Sequence, residues 1–291
     1  MPIKVENLSY TYDPKAPFKK DALKNVSLTI EDGDFFGIIG RTGSGKSTLV
    51  THFNGLIEVQ SGKITVDDIE LSAKSKYDKK KLRAKVGMVF QYPEYQLFAE
   101  TVFDDVAFGL KNFRKDITKE QTEAAVRDAV EMVGLNYEEV KGKSPFDLSG
   151  GQKRRAAIAG VIVTRPHILI LDEPAAGLDP LGKKEIMELL HKLHREWCST
   201  VIIVSHDMDE IADNCTMAAV ISEGRVADCA APRELFAKAE ELDALGLDVP
   251  LTAKACAELG KAGIKVDTDF TCEDFAAKVI SLFEGGEESA Q

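Results

Sequence analysis

Three short segments in a fixed order constrain this chain more than any other feature. The first is a glycine-rich stretch, Gly40-Arg41-Thr42-Gly43-Ser44-Gly45-Lys46-Ser47. The second is the pentapeptide Leu148-Ser149-Gly150-Gly151-Gln152. The third is an apolar run, residues 168–171, that ends in the adjacent carboxylates Asp172 and Glu173. Together they predict a nucleotide-binding α/β fold in which each segment follows or opens a defined element.

The glycine-rich stretch matches the G-x-x-x-x-G-K-[ST] pattern of a P-loop. Glycines let the backbone wrap a phosphate, and the amides that open the next helix favour its negative charge. Lys46 is expected to reach the β- and γ-phosphates, and Ser47 to offer its hydroxyl to Mg²⁺. Thr48, the next residue, is included with the loop as a nucleotide-binding candidate. The pattern predicts a site for ATP with Mg²⁺.

Two adjacent carboxylates at the end of a buried strand are costly unless they have partners or a catalytic role. We expect Asp172 to bind Mg²⁺, through water, as the second acidic motif of P-loop ATPases does. Glu173 is expected to face the attacking water as general base or water-positioning group.

Strand-like and helical segments alternate along the chain, which predicts an α/β core with a mainly parallel sheet. Strands are predicted at 3–12, 23–30, 35–39, 63–71, 86–90, 168–171, 200–204, 217–221 and 225–230. Residues 93–159 have a helical pattern, and helices are also expected at 183–197, 233–244, 252–262 and 273–283. We find no internal repeat, so a single nucleotide-binding unit is predicted.

Bulk properties exclude several classes of protein. The chain has 291 residues, 44% of them hydrophobic, and a net charge of −11, which argues against a general nucleic-acid binder. The longest apolar stretch, about residues 156–163, is far shorter than the ~18 residues of a membrane-spanning helix. With no signal-peptide pattern at its start, the chain is expected to be soluble. Its five cysteines form no C-x-x-C pair and are expected to be reduced, buried thiols.

The pentapeptide, following a P-loop and preceding an acidic strand end, resembles the signature of ATP-binding-cassette (ABC) ATPases. The resemblance implies a RecA-like parallel core, an antiparallel β subdomain and a helical subdomain. It also implies a head-to-tail dimer in which Ser149, Gly150, Gly151 and Gln152 complete the partner's ATP site rather than their own. ATP would then favour the closed dimer, and hydrolysis would let it reopen.

Four further positions take roles from the same resemblance. Gln91 would contact the Mg²⁺ and the attacking water, and His206, in Ser-His-Asp, would be the switch residue that senses the γ-phosphate. Asp179, in Ala-Gly-Leu-Asp, would contact the opposing subunit. Tyr12 resembles the aromatic residue that stacks on adenine, with Tyr10 as its competitor because strand alternation puts both on the same side.

Other segments are similar to energy-coupling factor (ECF) transporter ATPases. They are Ser9–Tyr12, Ala16-Pro17-Phe18, the run 86–94, Gln96-Leu97-Phe98, Ser144-Pro145-Phe146 and the run 246–250. The Gly-Arg-Thr-Gly form of the P-loop resembles the second of the two paralogous ATPases. One departure is Ala175, where related chains usually have Thr.

The ECF resemblance implies an ATP hydrolase on the cytoplasmic face of the cell membrane, bound there through other proteins. Its partners would be a second ABC ATPase, in a heterodimer or a homodimer, a transmembrane coupling protein and a small membrane protein that binds the substrate. The substrate would be a vitamin or a metal ion such as cobalt or nickel. Residues 92–108 are candidates for the coupling groove, although they could equally be core of the helical subdomain.

The expected domains are a nucleotide-binding domain, 1–232, with its helical subdomain at about 92–159, a small dimerisation domain, 233–284, and a disordered tail, 285–291. Residues 233–291 carry 6 basic and 13 acidic residues, so they differ in composition from the rest. Alternatives are a conventional importer or exporter ATPase, a non-transport ABC protein of translation or DNA repair, and a degenerate cassette. Glu173, Gln91 and His206 argue against the last.

Overall fold

The computed structural model describes residues 3–15 and 19–287. Ala16-Pro17-Phe18, which forms part of the ECF resemblance, and residues 288–291 of the predicted tail lie outside this part. The remaining chain forms two sheets and a set of helices.

A six-stranded sheet is the centre of the fold, with the order β10-β9-β3-β8-β7-β6. Strands β3, β6, β7, β8 and β9 are parallel to one another, and β10 pairs with β9 in the antiparallel direction. A second, antiparallel sheet has the order β2-β1-β4-β5. The strands are β1 Ile3–Tyr12, β2 Lys20–Ile30, β3 Phe35–Ile39, β4 Ser61–Val66, β5 Ile69–Ser72, β6 Val86–Val89, β7 Ile168–Asp172, β8 Thr200–Val204, β9 Met217–Ser222 and β10 Arg225–Ala230.

Helices flank the sheets, and most of those between β6 and β7 form the predicted helical insertion. The helices are α1 Lys46–Phe53, α2 Lys79–Lys85, α3 Val102–Phe113, α4 Lys119–Met132, α5 Tyr137–Val140, α6 Gly150–Ile162, α7 Pro180–Glu196, α8 Met208–Asn214, α9 Pro232–Phe236, α10 Ala239–Ala244, α11 Leu251–Lys261 and α12 Cys272–Glu287. Short 3₁₀ turns lie at Pro93–Gln96 and Pro145–Asp147. The predicted architecture of a parallel core, an antiparallel sheet and a helical insertion is confirmed.

The parallel sheet separates two hydrophobic clusters because strand residues alternate between its faces. On β3, Phe35 packs on the side of the helical insertion, whereas Phe36 packs on the side of α1 and the antiparallel sheet. Leu169 and Ile170 on β7 divide in the same way. Since both faces are covered, these strands read as continuous apolar runs, and this is why the sequence predicts them well.

The C-terminal region differs from the prediction in two ways. One helix was predicted over 233–244, but the structure has two, α9 and α10, with a break at Ala237 and Lys238. The break lets Leu235, Phe236 and Leu242 all pack into the core of the nucleotide-binding unit. The helix is therefore interrupted because these side chains are buried in the core, and not because a proline or glycine breaks it. The predicted division at residue 233 stays a prediction, and this packing favours a boundary nearer Pro250.

Helix α12 extends to Glu287 and so includes the first three residues of the predicted disordered tail, which stays a prediction. Gly285 and Gly286 suggested the end of the helix, but a glycine costs a helix only about 1 kcal/mol and does not block it as proline would. In the described part of the chain, no helix is both long and apolar enough to cross a membrane.

Candidate active site

The candidate site lies at the carboxyl ends of four parallel strands. The P-loop follows β3, Gln91 follows β6, Glu173 follows β7 and His206 follows β8. Strands β3, β8, β7 and β6 are consecutive neighbours in the sheet, so residues far apart in sequence reach one edge. This is where open α/β sheets bind ligands.

The P-loop backbone depends on glycine at two positions. Gly40 has a φ of 154°, and a Cβ there would meet the Ile221 carbonyl oxygen at 2.2 Å. Gly45 has a φ of 113°, and its Cβ would meet the Ala22 carbonyl oxygen at 2.6 Å. Any side chain would therefore open the loop. The buried Ser44 Oγ has no hydrogen-bond partner among the described residues, and a phosphate oxygen would provide one.

Lys46 and Ser47 face the acidic end of β7. The Lys46 ammonium is buried and donates to the carbonyl oxygens of Gly40 and Arg41, at 2.6 and 3.1 Å. Burial lowers its pKa, although the nearby Glu173 and Asp172 carboxylates act in the opposite direction. Burial raises the pKa of Asp172, although the nearby Ser47 hydroxyl and the Lys46 charge act in the opposite direction. Hydroxyl and carboxylate oxygens side by side are ligands that suit Mg²⁺.

Tyr12 lies beside the P-loop helix. Its hydroxyl is 3.1 Å from Thr48 Oγ1, and the side chain is 39% exposed, so its ring is available for stacking. Tyr10 instead packs edge-on against the rings of Tyr12 and His52, with centroids 4.9 and 5.0 Å away. This arrangement favours Tyr12 over Tyr10 as the adenine-stacking candidate, which stays a prediction.

Glu173 and His206 are in direct contact. The Glu173 Oε2 atom is 2.5 Å from His206 Nδ1, and the Glu173 amide donates to the Val204 carbonyl oxygen at 2.8 Å. Both side chains and Gln91 line one cleft of about 300 Å³. Glu173 is largely buried and His206 is exposed, so the pair joins the interior of the site to its opening. The structure thus brings together the two side chains expected at the attacking water, Glu173 and Gln91, and the expected γ-phosphate switch, His206.

The signature begins a helix, because α6 runs from Gly150 to Ile162 directly after Ser149. Ser149 is the N-cap of α6, and its Oγ accepts from the Gln152 amide at 3.3 Å while Gln152 Oε1 accepts from the Ser149 amide at 3.0 Å. A Cβ on Gly150 or Gly151 would meet no atom within 4 Å. These glycines therefore leave an open surface at a helix N-terminus, the kind of surface that favours a phosphate. None of the four lines the Glu173 cleft.

Asp179 caps α7. Its Oδ1 atom accepts from the Gly182 amide at 2.8 Å, and Pro180 occupies the first helical position. The carboxylate holds the turn after Glu173 in shape, and its predicted contact with another subunit stays a prediction.

Two charged residues near the site were not identified from the sequence. Arg154, on α6, is 5% exposed and donates to the Ala176 carbonyl oxygen at 2.8 Å, with Glu94 Oε2 at 3.4 Å. It ties the signature helix to the segments after Glu173 and Gln91. Glu210, on α8, lines the cleft and accepts a hydrogen bond from Ser205 Oγ; burial raises its pKa to about 7. The sequence signal that could have identified both residues is a charged side chain at a helix position that faces the core.

The segment after Gln91 presents an aromatic surface, although part of it is core. Tyr95, Phe98 and Phe108 are 84%, 60% and 51% exposed, and the last two rings pack edge-on at 4.9 Å. Leu97, by contrast, is buried. Residues 92–108 therefore contribute both to the core and to an exposed aromatic surface, and the coupling groove stays a prediction.

The cysteines are all free thiols. Cys198 is buried, but Cys272 is exposed, so the expectation of buried thiols is wrong for that residue. Cys272 is the first residue of α12 and lies at the surface of the C-terminal region.

Comparison with known proteins gives a consistent result. A family model described as ABC transporter matches residues 23–176. The energy-coupling factor transporter ATP-binding protein EcfA2 of Clostridium acetobutylicum is 46% identical, over 98% of this chain and 99% of its own length. The protein of the same description from Symbiobacterium thermophilum is 47% identical, over 100% of this chain and 99% of its own length.

Solved structures agree with the sequence relatives. The cbiO1 protein of Clostridium perfringens, part of the ABC transporter complex cbiONQ, has a TM-score of 0.71 and 39% identity, covering 87% of this chain and 97% of its own. A dimeric ATP-binding cassette in a post-hydrolysis state, bound to ADP and Pi, has a TM-score of 0.71 and 30% identity, covering 79% of this chain and 98% of its own.

Proposed function

This chain belongs to the ABC ATPases and, among them, to the ATP-binding subunits of energy-coupling factor transporters, and from this membership we propose how its residues perform the work. The chain binds ATP at its P-loop, hydrolyses it in a dimer of two ATPases and passes the closing and opening of that dimer to membrane partners. The transported cargo is a vitamin or a transition-metal ion.

The P-loop residues 40–48 hold the phosphates, with Lys46 at the β- and γ-phosphates and Tyr12 against the adenine. Ser47, Asp172 and Gln91 hold Mg²⁺, which when bound neutralises charge on the phosphate oxygens. The proximity of Ser47 to Asp172 supports this, because the Ser47 hydroxyl is near enough to lower the pKa of that carboxyl, and the two side chains offer neighbouring oxygen ligands at the end of β7.

Glu173 orients the attacking water and accepts its proton, and His206 keeps the Glu173 carboxylate in place while sensing the γ-phosphate. The observation that carries this proposal is the 2.5 Å contact between Glu173 and His206 in a cleft also lined by Gln91. A carboxylate that only stabilised the fold would not need an exposed histidine and an open cleft.

Ser149, Gly150, Gly151 and Gln152 complete the site of a second cassette, and Asp179 contacts it. The open N-terminus of α6, outside the Glu173 cleft, supports this assignment. The dimeric state of a related cassette bound to ADP and Pi supports it as well. The second cassette is a paralogous ATPase, or a second copy of this chain in the homodimeric form.

The exposed aromatic side chains Tyr95, Phe98 and Phe108 receive the transmembrane coupling protein at the cytoplasmic face of the cell membrane. A small membrane protein that binds the substrate completes the assembly. The C-terminal region adds contact between the two ATPases. Its boundary lies near Pro250, so it contains helices α11 and α12.

The experiment is a gentle detergent pull-down of the chain from its native membranes, with all partners identified. We expect a second cassette ATPase, a coupling membrane protein and one or more small membrane proteins. A Phe98→Ala/Phe108→Ala variant should lose the membrane proteins but keep ATP binding, whereas Tyr77→Phe, away from this surface, should keep both. Recovery with ribosomes or DNA-repair proteins, and no membrane partner, would contradict the transport assignment.

A further inference from the structure

The helix that follows the switch histidine is fixed at its far side to the C-terminal region. Helix α8 begins at Met208, two residues after His206, and ends at Asn214. Its residues Asp209 and Asp213 are one turn apart and share a face of the helix. Each accepts a hydrogen bond from the first amide of a C-terminal helix.

Asp209 supplies a cap that α11 lacks. The Asp209 Oδ1 atom accepts from the Leu251 amide at 2.8 Å. Leu251 opens α11, and the preceding N-cap residue is Pro250, which makes no side-chain hydrogen bond to the helix. Without such a cap, an N-terminal amide of a helix would hydrogen-bond to water. The Asp209 carboxylate on α8 therefore takes the place of a local cap.

Asp213 makes a corresponding contact with α12, whose first turn also has a local cap, because Thr271 Oγ1 accepts from the Asp274 amide at 3.2 Å. The Asp213 Oδ1 atom accepts from the Cys272 amide at 2.9 Å, and Cys272 is the first residue of that helix. Two carboxylates on one short helix thus meet the positive ends of two C-terminal helices. These two hydrogen bonds fix both the position and the rotation of α8 relative to α11 and α12.

The near end of α8 is joined to the catalytic residues. Asp207 accepts from the Glu210 amide at 3.3 Å and pairs with Lys183 of α7 at 2.7 Å. Ser205 Oγ donates to Glu210 and accepts from the Asp207 amide at 3.1 Å. His206 stands between Ser205 and Asp207, so a movement of α8 moves the backbone that carries it.

We propose that Asp209 and Asp213 are positioning residues for ATP hydrolysis, through which α11 and α12 hold α8 and keep His206 against Glu173. The proposal rests on the proposed role of His206. The C-terminal region then has a second task besides contact between ATPases. It holds His206, the switch residue of its own subunit, in position. A change at the γ-phosphate reaches α11 and α12 through the same two hydrogen bonds.

The test is a comparison of Asp209→Ala/Asp213→Ala with Asp209→Asn/Asp213→Asn in the full chain. Asparagine keeps an oxygen acceptor for the amide, whereas alanine does not. We expect the alanine pair to lower kcat at least fivefold, with the Kd for ATP unchanged within twofold, and the asparagine pair to stay within twofold of the original. Glu188→Ala, an exposed carboxylate on α7 that pairs with Lys184 at 3.8 Å, is the control and should change neither.

Amide hydrogen exchange in the unaltered chain gives an independent measurement. A non-hydrolysable ATP analogue should change the exchange of peptides containing Leu251 and Cys272, and His206→Ala should remove that change while still binding the analogue. Unchanged exchange there, or a full kcat in the alanine pair, would overturn the proposal, as would a loss of ATP affinity in parallel with kcat. If His206→Ala itself hydrolyses ATP normally, the proposed function is wrong. If His206→Ala loses ATP hydrolysis but Asp209→Ala/Asp213→Ala hydrolyses ATP normally, the proposed function stands and only the role of Asp209 and Asp213 is wrong.

Discussion

The Glu173 carboxylate and the His206 imidazole are joined by a 2.5 Å contact that bridges the ends of strands β7 and β8. Glu173 has a φ of 55°, an uncommon conformation for a residue other than glycine, and its amide donates to the Val204 carbonyl oxygen. The backbone is thus turned so that the side chain leaves the strand toward His206. Strain held by neighbouring hydrogen bonds is frequent at catalytic positions.

Replacing His206 with alanine removes the partner of the catalytic carboxylate. A hydrogen bond to a charged group contributes about 1.5–3 kcal/mol, so kcat should fall about 10- to 100-fold. The Kd for ATP, measured by fluorescence titration of the same preparations, should change little. His194→Ala, on the far end of α7, is the matched control. A variant His206→Ala with full turnover would remove this residue from the site.

Replacing Lys46 with alanine should abolish tight nucleotide binding without unfolding the chain. The buried ammonium is held by carbonyl oxygens of the P-loop, the loop expected to hold the phosphates. A lost charge-assisted contact corresponds to an affinity about 10- to 100-fold lower. The measurement is the rise in Tm with added ATP, which follows RT ln(1 + [L]/Kd). Lys79→Ala, an exposed lysine paired with Glu58, should retain the full rise. An equal rise in both variants would contradict the assignment.

Glu210 should make stability depend on pH. Burial raises its pKa from the usual 4.5 to about 7, so between these values the folded chain holds a proton that the unfolded chain has lost. Protonated Glu210 therefore contributes up to about 3 kcal/mol to the free energy of unfolding, relative to the value at high pH. This contribution is fully present below about pH 4.5 and is lost as the pH rises through 7. Glu210→Gln keeps an acceptor for Ser205 and should be the more stable protein at pH 8, with little difference at pH 5. Denaturant unfolding at both pH values is the measurement. Parallel pH dependences in the two proteins would show that Glu210 is not the group.

Arg154→Leu should destabilise the fold and loosen the signature helix. Removing the guanidinium of the buried Arg154 leaves the half-buried Ala176 carbonyl oxygen without its donor and removes the contact with Glu94. Breaking such a buried charged contact costs about 3–5 kcal/mol. Urea unfolding should report this loss, whereas Arg165→Leu, whose pair with Asp128 is exposed, should cost less than about 1 kcal/mol. Equal effects of the two substitutions would mean that burial of Arg154 is unimportant.

The sequence predicted the strands well because both faces of the parallel sheet are covered and each strand is an uninterrupted apolar run. The P-loop and Glu173 each follow a strand that could be predicted, whereas the roles of Gln91 and His206 came from the resemblance to ABC ATPases; all these roles stay predictions. Helix α8 was missed because it has only seven residues and no apolar period long enough to recognise. Its N-terminal signal, Asp207 followed three residues later by Glu210, was present in the sequence.

Contacts between distant segments were beyond prediction. The break between α9 and α10 follows from burial of Leu235, Phe236 and Leu242 in a core built by other elements. Likewise, the hydrogen bonds from Leu251 to Asp209 and from Cys272 to Asp213 join residues 42 and 59 positions apart. Local patterns carry no information on which amide meets which carboxylate across such separations.

The measurement that bears most directly on catalysis is ATP turnover by the purified chain, alone and mixed with the second ATPase that copurifies with it, for the original protein and for Glu173→Gln. Turnover per subunit should rise with protein concentration as dimers form. We expect Glu173→Gln to lower turnover at the site of this subunit about 10²- to 10⁴-fold, with ATP retained and the dimer more persistent. Normal turnover in Glu173→Gln would mean that this carboxylate, held by His206, does not activate the attacking water.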